Sequence, residues 1–215
     1  MEFPVKVLLA YLLGSIVGSL VVGLLKGGVD IRKSGSGNAG ATNALRTQGA
    51  WFAAWVIIID IAKGWFAAAV LPGLLLPGIA PASDNLWLWL PAACAFAAIL
   101  GHVFPVWHGF RGGKGVATLV GAYAGLMPVL LLPLFATWLI MVMVSGYVGL
   151  ASIIAALALP VYLLIRFGPV LTSELAFSLA CAVLVLYTHR ANVRRMRAGA
   201  EPRARKLWLF GRGRA

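Results

Sequence analysis

Long apolar runs separated by short polar stretches dominate this chain. Clear runs occupy about 5–25, 51–71, 86–106, 129–146, 150–167 and 171–188, and a shorter one covers 116–128, with Pro128 and Pro133 at its end. Several approach or exceed the ~20 residues a helix needs to cross a bilayer. They are continuous rather than alternating in polarity, which excludes the pattern of a transmembrane β-barrel. The pattern predicts an all-α, polytopic integral membrane protein built as a single domain over 1–215, with 189–215 as a basic tail. The first run lacks the basic flank and the A-x-A site of a signal peptide. Its Gly14-x-x-x-Gly18 and Ser15-x-x-x-Ser19 spacings suit close helix packing, so it reads as the first span.

Composition agrees. The 215 residues are 61% hydrophobic and 11% charged, against roughly 25% charged in soluble domains. Cys94 and Cys181 lie inside apolar runs and read as small core residues, with neither a metal pattern nor a disulfide framework. The net charge of +12 would suggest nucleic acid in a soluble protein. Here it orients helices and meets anionic lipid instead, and nucleic acid is not an expected partner.

Charge also settles the number of spans. With the polar loop 26–50 in the cytoplasm and 116–128 counted as a span of its own, there are seven transmembrane helices, the N-terminus outside and the C-terminus cytoplasmic. Lys26, Arg32, Lys33, Arg46, Arg111, Lys114 and nine tail residues then lie inside, which is 15 of 18 basic residues. Lys6 and Arg166 lie outside, and Lys63 is within a span. Six spans would put the basic tail outside, against the positive-inside rule. The same parity places every polar, glycine-rich segment on the cytoplasmic side, as expected of one site.

Four such segments carry candidate chemistry. The first is Asp30 to Arg46. Glycines let backbone N–H groups approach an anion, so Gly35 and Gly37 are expected in a phosphate cradle. Ser36, Asn38, Thr42 and Asn43 add neutral donors, and Arg46 can grip a phosphate through two parallel bonds. In the second, Gly101 to Thr118, Gly112, Gly113 and Gly115 surround Lys114 just before an apolar helix, where free N–H groups and a cation attract anions. It is not a Walker A loop, because His108 and Gly115 stand where that motif needs glycine and Ser or Thr. The third, Ser145 to Ser152, joins two spans. Its serines either reach a ligand or bond back to their own helix carbonyls. In the fourth, Thr188 to Glu201, His189 and Asn192 are three apart and share a face if the last span continues. The surrounding arginines suit lipid headgroups, and Leu207 to Phe210 reads as an interfacial anchor.

Asp60 and Lys63 lie within the second span, three residues apart. Charges in the membrane are costly and usually paired or functional. The expectation is a structural ion pair that ties the helix to the site.

Together these segments resemble the bacterial acyl-phosphate:glycerol-3-phosphate acyltransferases, the PlsY family. The resemblance rests on S-G-S-G-N-A-G-A-T-N-x-x-R (34–46), D-I-A-K-G (60–64), G-H-V-F-P (101–105), G-G-K-G-V-A-T (112–118) and H-R-A-N-V-R-R with G-A-E (189–201). It implies a seven-span enzyme of the bacterial inner membrane. Such an enzyme moves a fatty acyl group from acyl phosphate to the 1-hydroxyl of sn-glycerol 3-phosphate at the cytoplasmic face. Lysophosphatidic acid and phosphate are formed, as the first step of phospholipid synthesis. A soluble partner enzyme makes the acyl phosphate, and no cofactor or metal is expected.

Carried onto this chain, the resemblance implies Ser36 and Arg46 at the substrate phosphates and Lys114 with its glycines at the glycerol phosphate. His189 and Asn192 are implied near the reacting centre, while Ser145 and Ser152 are candidate substrate contacts on the residue reading alone. The third motif often has serine where this chain has Gly149. An acyl phosphate is already activated, so the protein must hold two anions and neutralise charge rather than supply a strong nucleophile. Two other classes fit less well. An organic-phosphate transporter would place its site near the midplane in repeated, broken helices. An acyl-CoA-type acyltransferase needs histidine followed five residues later by aspartate; His102, His108 and His189 are followed there by Trp107, Gly113 and Arg194.

Overall fold

The computed structural model describes residues 1–81, 83–170 and 172–211. Among them the regular structure is helical, with eleven α-helices and no strand. The helices group into two compact units, Met1–Leu126 and Met127–Ala215, taken in turn.

The first apolar run does not form one helix. α1 spans Glu2–Gly14 and α2 spans Gly18–Leu25, bent by 46° at the break between them. The Ser15 hydroxyl turns back to the Tyr11 carbonyl at 2.9 Å, and Val17 is extended (φ −86, ψ 116). A hydropathy run cannot show such a break, because every residue in it remains compatible with lipid. The polar loop that follows holds a 3₁₀ turn at Ile31–Lys33 and one short α-helix, α3 (Ala41–Gln48). α4 (Ala50–Trp65) continues through a π-turn at Phe66–Val70 into Leu71–Gly73. After α5 (Asp84–Trp87) come α6 (Leu90–Val103) and α7 (Val116–Leu126).

Glycines set how closely these helices approach. A Cβ on Gly14 would strike the Ala98 backbone, and one on Gly101 would strike the Tyr11 carbonyl, so α1 and α6 meet backbone to backbone. Gly64 and Gly121 do the same for α4 and α7, against the Thr118 and Ile61 carbonyls. Between helices in lipid there is little hydrophobic driving force, and close van der Waals contact through small residues replaces it. Lys6, which the charge count placed among outside residues, is 1% exposed. It pairs with Glu2 and donates to the Pro72 carbonyl.

In the second unit, α8 (Leu131–Ser145) and α9 (Val148–Phe167) are joined by a turn at Gly146, which has φ +75. α10 (Ser173–Thr188) starts on a cap in which Thr172 accepts from the Leu175 amide at 3.2 Å. It bends by 50° into α11 (Arg190–Arg197) at His189. The last span therefore does not run straight on through Asn192.

The C-terminal segment folds back on the α8–α9 turn. The Ala204 amide donates to the Gly146 carbonyl at 2.7 Å, and Trp208 Nε1 donates to the Val144 carbonyl at 3.2 Å. The Arg203 guanidinium lies 4.8 Å from the Tyr147 ring centre and 4.0 Å from that of Trp208. Trp208 is thus held by the fold and half-buried, while Leu207, Leu209 and Phe210 remain exposed.

Among the described residues four helical segments are long and apolar enough to cross a bilayer: Ala50–Gly73, Leu90–His108, Pro128–Ser145 and Val148–Phe167. The two bent pairs raise this to six. α7 has 11 residues and is about 16 Å long at 1.5 Å per residue, roughly half a hydrocarbon core.

Candidate active site

The loop before α3 is organised by Asn43, which is 2% exposed. Its Oδ1 accepts from the Ser36 amide at 2.9 Å, and its Nδ2 faces the carbonyls of Ile31, Ser34 and Asn38 at 3.0, 3.1 and 3.0 Å. The Gly37 amide donates to the Ser34 carbonyl and the Gly40 amide to Asn38 Oδ1. Several amides and Asn43 itself, expected to face a ligand, are therefore spent on the loop's own shape. The physical reason is that a turn this tight leaves its polar groups nearest to one another, and buried polar groups must be paired. Gly35 and Gly37 have φ +58 and +71, so glycine serves the left-handed turn. A Cβ on Gly35 would strike Asn43 Oδ1. What the loop presents outward is the Ser36 side chain, Thr42 and, from the last turn of α3, Arg46, all exposed.

Arg32 joins this loop to the second motif. Its guanidinium binds Asp30 at 2.8–3.2 Å and donates through Nη1 to the carbonyls of His108 and Arg111 at 3.2 and 3.0 Å. The Arg32 side-chain hydrogen bond holds the Asp30 carboxyl below its usual range, and the same contact raises Arg32. The sequence marked Arg32 only as a nearby cation.

In the second motif the glycines serve packing. The Gly112 amide donates to the Val103 carbonyl and the Gly113 amide to the His102 carbonyl, both at 3.1 Å. Side chains at either position would collide, at Gly112 with the His102 carbonyl and at Gly113 with the His102 ring. These two N–H groups close the end of α6 rather than cradle an anion. Gly115 has φ +83 and abuts Ile99. Lys114, between Gly113 and Gly115, is half-buried, while Arg111 in the same loop is exposed.

Asp60 and Lys63 form an ion pair at 2.9 Å, 1% and 5% exposed. His102 Nδ1 lies 2.9 Å from Lys63 Nζ and 3.3 Å from Asp60 Oδ1. This third member carries no signal in the sequence beyond its place in G-H-V-F-P, because it lies 39 residues from Lys63.

In the second unit His189 and Asn192 are both buried, 3% and 5% exposed, around the α10–α11 bend. His189 Nδ1 donates to the Val185 carbonyl at 2.8 Å. A carbonyl only accepts, so the Nδ1 proton is fixed and the neutral ring carries its lone pair on Nε2. Asn192 Nδ2 donates to Glu201 Oε1 at 2.6 Å, and Arg195 Nε donates to Glu201 Oε2 at 2.6 Å. Glu201, buried among basic neighbours, is a residue the motif reading left without a role. Its signal was a lone carboxylate in a tail of arginines. The serines take the second of their two readings. Ser145 Oγ donates to the Met141 carbonyl at 2.6 Å and accepts from the Tyr147 amide. Ser152 Oγ donates to the Val148 carbonyl at 3.0 Å and accepts from Trp138. Back-bonding to the preceding turn satisfies a hydroxyl in a helix that has no water to offer.

Comparison with known proteins gives a consistent picture. A family model described as glycerol-3-phosphate acyltransferase matches residues 5–199. A glycerol-3-phosphate acyltransferase of Chlorobaculum tepidum is 40% identical, over 94% of this chain and 97% of that one. One of Bordetella pertussis is 42% identical, over 93% and 91%. Among solved structures, the glycerol 3-phosphate form of the integral membrane glycerol 3-phosphate acyltransferase PlsY aligns with a TM-score of 0.80 at 35% identity, covering 94% of this chain and 96% of that one. Its lysophosphatidic acid form aligns with a TM-score of 0.81 at 34% identity, covering 98% and 100%.

Proposed function

Because this chain belongs to the glycerol-3-phosphate acyltransferase family and is an acyltransferase enzyme of the membrane, we propose that its acyl donor is acyl phosphate and its acceptor the 1-hydroxyl of sn-glycerol 3-phosphate. The observation that carries this reading is the Arg32 bridge between two loops, one presenting Ser36, Thr42 and Arg46 and the other Lys114. Two anionic substrates need two sets of cations and donors held in fixed relation, and catalysis by holding reactants in register is worth several kcal/mol.

In the proposed reaction the glycerol hydroxyl oxygen attacks the acyl carbonyl carbon. The new ester bond forms, the bond from that carbon to the phosphate oxygen breaks, and phosphate leaves with the electron pair. Lys114 holds the glycerol phosphate, while Arg46 neutralises and Ser36 donates a hydrogen bond to the acyl phosphate and the departing phosphate. His189 Nε2 takes the hydroxyl proton. Its support is the Nδ1 bond to Val185, which leaves the lone pair on Nε2. Asn192 orients substrate beside it. The proposal keeps residues 1–215 as one acyltransferase domain. The proposal also keeps the seven-span arrangement, with the N-terminus outside and the site at the cytoplasmic face of the bacterial inner membrane. A soluble enzyme supplies the acyl phosphate. The product, lysophosphatidic acid, opens phospholipid synthesis.

The test gives purified protein in lipid nanodiscs glycerol 3-phosphate with either acyl phosphate or acyl-CoA, following phosphate release and lysophosphatidic acid. Turnover with acyl phosphate alone is expected. Turnover with acyl-CoA alone overturns the donor assignment, and turnover with neither overturns the reaction.

A further inference from the structure

The break between α1 and α2 leaves the last carbonyls of one helix and the first amides of the next without helical partners. The buried ion pair serves both ends. Lys63 Nζ donates to the carbonyls of Gly14 and Ile16 at 2.9 and 2.7 Å, and Asp60 Oδ1 accepts from the Gly18 amide at 3.1 Å. A cation thus sits at the C-terminus of α1 and an anion at the N-terminus of α2, each where the helix dipole favours it. This pins the pair, and the pair in turn pins one edge of the His102 ring through Nδ1.

The opposite edge of that ring is a floor for the second motif. His102 Nε2 lies so close to Gly113 that any side chain there would strike it. The backbone of residues 102 and 103 receives the amides of Gly113 and Gly112. The next residue is Lys114. Apolar side chains of the same volume would fill this space as well or better in energy. What a charged pair and an imidazole add is a single orientation, set by directional bonds, for whatever rests on them.

We infer that Asp60, Lys63 and His102 are positioning residues for Lys114. The ion pair fixes the His102 ring, and the ring fixes the height and direction of the Gly112–Gly113 turn that presents the lysine. None of the three touches substrate. The inference deepens the proposed role of Lys114 at the glycerol phosphate and rests on it for its kinetic consequence, but its structural half stands alone.

The experiment therefore has two readouts on full-length protein in nanodiscs. Amide hydrogen exchange over 109–116 reports the turn without any substrate, and KM for glycerol 3-phosphate is measured apart from kcat. His102→Ala removes the floor. His102→Asn keeps a polar atom near the position of Nδ1 for the ion pair while removing the Nε2 edge, and guards against a variant that merely fails to fold. Both are expected to exchange at least tenfold faster over 109–116, with exchange in α8–α10 unchanged, and to raise KM at least tenfold with a smaller change in kcat. Lys63→Met is expected to do the same, with Lys63→Arg recovering part of the loss. A folded His102→Asn protein with wild-type exchange and wild-type KM overturns the inference. A wild-type protein inactive with glycerol 3-phosphate overturns the functional reading instead, while the exchange comparison still decides whether His102 sets the turn.

Discussion

Gly149 and Asn192 share one small volume: a Cβ built on Gly149 would lie 2.8 Å from Asn192 Nδ2 and 3.0 Å from its Cβ. A hydroxymethyl group at this place has no room beside Asn192 as it stands here. Asn192 is in turn held by Glu201. Gly149→Ser is therefore expected to push Asn192 off its partner. Overpacking of this kind costs about 1–3 kcal/mol. Activity should fall by about tenfold for each ~1.4 kcal/mol of that loss felt in the transition state. A variant as active and as heat-stable as wild type would show that Asn192 has freedom the structure does not display.

Lys114→Ala removes the cation that stands within the glycine turn of the second motif. Loss of a preorganised charge aimed at a substrate anion costs on the order of 10²–10³ in rate. Acyl transfer should drop by at least that much with the thermal midpoint unchanged, because the residue is half-buried in a loop whose shape depends on Gly112, Gly113 and His102. Near-normal turnover would remove Lys114 from the reaction.

Asn43 reads as a substrate donor in the sequence and as a strut in the structure, and Asn43→Asp separates the two. The carboxylate keeps an acceptor for the Ser36 amide but turns a second oxygen toward the carbonyls of Ile31, Ser34 and Asn38. An uncompensated polar clash in a buried site costs about 1–3 kcal/mol or more. Limited proteolysis within 30–40 should accelerate before substrate is added. If cleavage is unchanged and only KM rises, Asn43 is a ligand contact after all.

The Asp30–Arg32 bridge gives the two loops a pH dependence of known sign. The folded carboxyl titrates below its ordinary value because Arg32 bonds it. Its contribution is therefore complete above the ordinary carboxylate pKa, near ~3.9, and is lost as pH falls through the lower folded value. Amide exchange over 30–38, corrected for intrinsic rates, should rise on acidification below about pH 4. Asp30→Asn should show the raised exchange already at neutral pH and no further acid step. The effect will be small, since the pair is partly exposed.

Trp208→Ala opens the clasp in which Arg203 lies between Tyr147 and Trp208. Arg203 and Trp208 fall beyond residue 199, where the family match ends, and Tyr147 within it. Trypsin should then cut at Arg203, Arg205 and Lys206 several-fold faster. Resistance equal to wild type would mean that the Ala204–Gly146 bond alone holds the segment.

The sequence by itself determined the helical membrane class and the places of the motifs. Apolar runs of bilayer length and glycine-flanked cations are local features, and each is complete within a few residues. The ion pair at Asp60 and Lys63 was legible for the same reason, because spacing along one helix fixes their proximity. What the tertiary structure decided is where polar groups spend their bonds. Asn43 turns inward, the Gly112 and Gly113 amides close on residues 103 and 102, and Ser145 and Ser152 bond back to their helices. Each of these depends on which donor or acceptor folding brings nearest, from four residues away for the serines to twelve for Asn43 and Ile31. His102 shows it best: only folding brings its ring between a buried ion pair and a glycine turn, because tertiary packing places α1, α4 and α6 within reach of one another.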